Sequence, residues 1–246
     1  MGGYVLKKVI SVFLFSVVSG HAAAATLNLQ NLVTDAFAAL ESEVQDRWQF
    51  TEASDDGEFK RLARYNPQAP EGQQWLLITV DGRAASDDEV AEFRRQKREQ
   101  KERENERNGG AETNPLDSID LESLRLLEDN ASAWRIGFTP VGAGEGRKMM
   151  AQMQGTVSIS KSGLCVEFIE IASPGPVKPQ IGVKVNHFLN RFEFAPVGEP
   201  EQQNAQCGRL LPVAMQFEIN MRAFGVMAVD RTMSARYSDY QVASAR

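Results

Sequence analysis

The chain has 246 residues, with 27 Lys and Arg against 33 Asp and Glu and a formal net charge of −6 at pH 7. That balance excludes a general nucleic-acid partner, because phosphate binding needs an excess of basic residues. Two cysteines and two histidines supply metal sites built on His and Cys clusters poorly, and no cofactor is expected.

Lys7 and Lys8 precede a short apolar run, Val9 to Val18, then Ser19-Gly20 and the small residues Ala22 to Ala25. This charged, apolar, small-residue succession is that of a cleavable secretory signal over residues 1–25, and the run falls far short of the roughly 20 residues that span a bilayer. No later segment is long and apolar enough to cross a membrane, and no cysteine marks a lipid-anchored start. The expectation is a periplasmic protein starting near Thr26. Without Lys7 and Lys8 its net charge is about −8, and its roughly 220 residues suit one domain, 26–246.

Leu29, Leu32, Val33, Ala36, Phe37, Leu40 and Val44 recur at helical spacing and predict an amphipathic helix from about Leu29 to Gln45. Arg47 to Ala53 reads as a strand, Asp55-Asp56-Gly57 as a turn, Phe59 to Tyr65 as the returning strand and Trp75 to Val80 as a third. Ser86 and Glu89 form a capping box opening a charged helical insert at about 86–108. Its early turns offer Val90 and Phe93 for burial, but Arg94 to Asn108 has no apolar residue and is expected to project into water or fray; the seven basic and eight acidic residues of 86–108 nearly cancel. A linker follows to about Pro115. Leu116 to Leu127 suggests one short helix.

From Trp134 onward the chain reads as about six strands in succession. Met149, Met153, Val157 and Ile159 share one phase, as do Val213, Met215, Phe217, Ile219 and Met221, and then Met227, Val229, Met233 and Tyr237. Six of the seven methionines after Met1 therefore point to one face of a sheet. Methionine is flexible and polarizable and recurs where a surface accepts partners of variable shape. A phase change between Val185 and Phe188 predicts a bulge near Asn186. Cys165 and Cys207 fall at the same edge of such a meander and are expected to form a disulfide. The fold class is α+β: a curved antiparallel half-barrel of about nine strands with helices packed on its concave side.

Reaction chemistry is thinly represented. His187 is the one histidine after the leader, no G-x-S-x-G elbow is present, and the glycines of Gly142 to Gly146 are expected to lead into a strand rather than a phosphate-binding helix. Acidic pairs such as Glu167 and Glu170 would serve a hydrolase only if they converged with His187 in one cleft. The chain therefore reads as a binding protein and not an enzyme.

The exported start, the N-terminal helix leading into Arg47-Trp48-Gln49-Phe50, Arg64-Tyr65-Asn66-Pro67, the Gly72-Gln73-Gln74-Trp75 strand entry, Gly82-Arg83-Ala84-Ala85-Ser86 and the ending Arg222-Ala223-Phe224-Gly225 through Arg236-Tyr237-Ser238-Asp239-Tyr240 resemble the outer-membrane lipoprotein-sorting (LolA/LolB-like) fold, in its uncharacterised periplasmic branch. The resemblance implies a curved sheet closing partly around helices over an apolar cavity for acyl chains. The expected ligand is a lipid or other amphiphile, held without covalent bonds by Met149, Met153, Met215, Phe217, Met221, Met227 and Met233. The alternative is an envelope interaction or sensor module, with helices filling the sheet and an outer surface or the charged insert contacting another envelope protein.

Overall fold

The computed structural model describes residues 27–40, 44–108, 115–142, 146–197, 207–224 and 226–243. The leader at 1–25, most of the linker after Asn108 and the middle of the Gly142 to Gly146 turn lie outside the described residues. Helix α1 (Leu29–Phe37) starts where the Asn28 side chain accepts from the Asn31 N–H, and it buries Leu32, Val33, Ala36 and Phe37. One turn, α2 (Val44–Arg47), leads into strands β1 (Trp48–Asp55), β2 (Lys60–Tyr65), β3 (Trp75–Val80) and β4 (Arg83–Ala84), then helix α3 (Asp87–Asn108). After a 3-10 turn at Pro115–Ser118 come β5 (Ile119–Asp129), β6 (Ala133–Pro140), the single turn α4 (Arg147–Met150) and β7 (Gln154–Ser160). The chain continues through β8 (Val166–Ala172), β9 (Val177–Gln180), β10 (Val183–Val197), β11 (Arg209–Ala223) and β12 (Met227–Val242).

The strands form one open antiparallel sheet in the order β4-β3-β2-β1-β12-β11-β10-β8-β7-β6-β5, with β9 paired to β10. Nearly every neighbour in space is a neighbour in sequence, as short antiparallel connections dictate; the pairing of β1 with β12 instead joins the two ends of the chain. A single rung carries one face across most of the sheet: Ile136, Val157, Ile169, Phe192, Met215, Ala235 and Ser54 stand opposite one another in turn. On that face α1 packs against Ile136, Phe138, Val157 and Ile159, and α3 lays Phe93 on Ala63, Leu77 and Val80. The two helices thus cover opposite wings and leave the middle strands between them.

Cys165 and Cys207 form the expected disulfide. It ties the start of β8 to the approach of β11, which the meander brings to the same end of the sheet, and Leu210 donates nearby to the Ala39 carbonyl at the end of α1. Closing 42 residues in this way limits the unfolded chain by about 4 kcal/mol on a loop-entropy estimate.

Several expectations need correction. Among the described residues the strands number twelve, not about nine. One of the additional strands is β5, where Leu116 to Leu127 was expected to be helical: two register breaks, between Asp120 and Arg125 and between Leu126 and Glu128, destroy the period of two and give the leucines a helix-like spacing. Ser123 fills one break, donating to the Asp120 carbonyl and accepting from the Thr139 N–H. Helix α1 ends at Phe37 rather than near Gln45, because Leu40 is drawn into a bridge with Leu210. Met149 lies on α4 and Met153 in the turn after it, so the strand expected to begin at Met149 begins at Gln154. Finally, the helices cover only the two wings of the concave side, and α3 stays fastened to the sheet past Phe93, through Arg94 and Lys97, where the stretch from Arg94 onward was expected to project into water. The bulge beside Asn186 is present, between Val185 and His187.

Candidate functional site: a cavity between the wings of the sheet

Between α3 and the middle strands lies a cavity of about 1270 Å³. Its walls come from both wings: Phe50, Tyr65 and Trp75 on β1 to β3, and Ile169, Ile171, Asn190 and Phe192 on β8 and β10. Strands β3 and β8 are six spacings apart in the sheet, roughly 29 Å if it were flat, so lining one cavity requires the sheet to curl. Tyr237, Tyr240 and Pro212 contribute the part of the wall between the wings.

The aromatic wall is a connected cluster. Phe50 sits 5.2 Å from Tyr65, 5.7 Å from Trp75, 5.8 Å from Tyr237 and 5.5 Å from Tyr240, ring centre to ring centre. Such tilted and edge-on contacts stabilise beyond area burial and fix the rings in place. Burial, reinforced by the nearby Glu52 charge, pushes the Tyr237 hydroxyl well above its ordinary range; burial and the neighbouring Tyr237 and Glu52 do the same to Tyr240. Both phenols stay neutral at physiological pH, and Tyr240 donates to the Pro212 carbonyl at 2.6 Å. The wall therefore presents uncharged ring surface.

Most of the charge lines the side under α3. Arg94, Lys97, Arg98 and Lys101 recur at positions i, i+3, i+4 and i+7 and all border the cavity. Lys97 donates to both oxygens of the buried Glu52 carboxylate at 2.9 and 3.1 Å and lies 4.0 Å above the Trp75 ring, while Arg94 donates to the Trp75 carbonyl. Glu71, Glu102 and Asp117 also border it, so the rim carries both signs. Away from the cavity, Arg95 bridges Glu92 and Glu99 along the helix.

The seven residues expected to hold the ligand are not among those lining this cavity. Met149, Met153, Phe217 and Met221 pack with Val177, Val185 and Phe188 in a neighbouring cluster that Ile171 shares with the cavity wall. Met215 stands in register between Phe192 and Ala235 on the same face, and Met227 and Met233 lie on that face of β12 with their side chains exposed. The sulfur-bearing cluster therefore adjoins the cavity at one end. The aromatic lining was overlooked because Phe50 and Tyr237 fit a strand core equally well; the signal that identifies it is five rings, at 50, 65, 75, 237 and 240, on strands that become neighbours only when β1 pairs with β12.

His187 pairs with Glu218 at 2.9 Å on the opposite face, and Glu170 with Arg191 at 3.0 Å, so the acids considered for hydrolysis do not meet in the cavity. Among the described residues no group of three or more His, Cys, Asp or Glu is placed to hold a metal ion, and no helix is long and apolar enough to cross a membrane. No known protein family, no curated protein and no solved structure matches the chain.

Proposed function

We propose that the protein is a non-enzymatic carrier or binder of an amphiphile, exported to the periplasm and related in fold to the LolA/LolB-like lipoprotein-sorting proteins. The observation that carries this reading is the cavity. Its volume of about 1270 Å³ exceeds the roughly 300–1,000 Å³ of ordinary small-molecule pockets, and its walls are largely aromatic and aliphatic while most of its charges lie along α3. An acyl chain laid against Phe50, Trp75, Phe192 and Ile169 loses its contact with water, and its polar head meets the mixed charges of α3. Export is supported by the leader-like start and by a disulfide, which persists in an oxidising compartment. The open, curved sheet with a helix over each wing agrees with what the resemblance implies.

Native mass spectrometry of the mature protein, with titration of a fluorescent fatty acid, tests the proposal. The expected result is a co-purified amphiphile or saturable uptake, reduced roughly tenfold or more by Phe192→Glu, which places a charge in the apolar wall. Absence of both uptake and co-purified amphiphile refutes it.

A further inference from the structure

Most turns at the ends of this sheet are polar: Asp55-Asp56-Gly57, Asp81-Gly82, Asn130 and Lys161-Ser162-Gly163. The turns between β9 and β10 and between β11 and β12 are different. They lie side by side and expose Ile181 at 98%, Val226 at 86%, Phe224 at 67% and Met227 at 58%. The Phe224 N–H donates to the Gly182 carbonyl at 2.6 Å, and the Phe224 ring lies so close over Gly182 that a Cβ there would stand 2.8 Å from it. Two turns are thereby locked into one apolar tip.

The fold accepts two local costs to build it. Phe224 holds a φ of +52°, a left-handed conformation that disfavours bulky side chains. Directly behind it Lys184 stands opposite Arg222 on the outer face, a like-charge cross-strand pair, and neither forms an ion pair among the described residues. Lys178 is exposed on the adjoining β9, while the nearest carboxylate along β11 and β12, Asp230, is opposite Asn220, two rungs farther in than Arg222 and Ala228, and the acidic Asp55-Asp56-Gly57 turn lies beside Thr232, farther back still. In an acidic protein the tip itself carries basic residues around an apolar point.

We infer that this tip docks onto an anionic lipid surface. Ile181, Phe224 and Val226 enter the boundary between headgroups and acyl chains, and Lys178, Lys184 and Arg222 meet the lipid charge that relieves their mutual repulsion. Charge complementarity favours the bilayer over a second copy of this chain, whose tip repeats the same basic residues. If the proposed carrier function also holds, the tip faces the end of the molecule where Met221, Val185 and Met153 lead toward the cavity.

The experiment is flotation of the mature protein with vesicles of three parts phosphatidylethanolamine to one part phosphatidylglycerol, compared with phosphatidylcholine alone. The wild type floats with the anionic vesicles, and added salt weakens the association. Ile181→Ser with Val226→Ser, and separately Lys184→Glu with Arg222→Glu, each lower it roughly tenfold or more. Both serine positions are almost fully exposed, so an unchanged unfolding midpoint is expected for that variant. Failure of the wild type to float, flotation indifferent to both double variants, or a wild-type dimer abolished by the serine variant would overturn the inference. Uptake of the fluorescent fatty acid from solution should persist in the serine variant; if no form of the protein takes it up, the carrier reading fails while the flotation result still decides the tip.

Discussion

Lys97 joins α3 to the sheet through the buried Glu52, and Trp75 lies beneath its ammonium group. Glu52 comes from β1 with its side chain almost wholly buried, so removing its partner leaves a carboxylate in an aromatic wall. We expect Lys97→Met to cost about 3 kcal/mol, the low end for a broken buried pair because Lys97 borders the open cavity, and Glu52→Gln with Lys97→Met to recover most of that loss. A double-mutant cycle by urea unfolding measures both. The sequence showed Lys97 as one charge among fifteen in a helix of nearly balanced sign. Nothing local distinguishes it from Arg95, which faces the other way and bridges Glu92 to Glu99, because the distinction depends on where β1 lies.

At the scale of the element, α3 is held at its start by the capping box read from Ser86 and Glu89. Glu89 accepts from the Ser86 N–H, and Arg83 grips the same carboxylate at 2.5 Å. The Arg83 hydrogen bond, followed by that of Ser86, lowers the Glu89 pKa from 4.5 to about 2. A depressed carboxylate contributes its stabilisation above its unfolded value and loses it as pH falls through the folded one. The first turn of α3 should therefore loosen as pH drops from about 4.5 toward 2, seen as faster amide exchange at Glu89 and Val90, and Glu89→Gln should remove that pH dependence. The box was legible because its pattern is local. Strand β5 was not, because its bulges imitate helical spacing and only pairing with β6 exposes them.

For the whole molecule, a cavity that binds an amphiphile links ligand to folding. At a free concentration one hundred times the dissociation constant, the folded state gains about 2.7 kcal/mol, which should raise the unfolding midpoint by roughly 5–10 °C in a chain of this size. Differential scanning calorimetry with a soluble fatty acid reads that shift. The sequence by itself determined the antiparallel meander, the apolar phase of β11 and β12, the bulge beside Asn186 and the Cys165–Cys207 bridge, since each follows from neighbours along the chain or from consecutive strands pairing. Only the tertiary structure decided that aromatic rings, rather than the methionines, line the cavity, and that one face of α3 borders it. Those features arise where β1 meets β12 and where the sheet curls, contacts between residues nearly two hundred positions apart that no local pattern encodes.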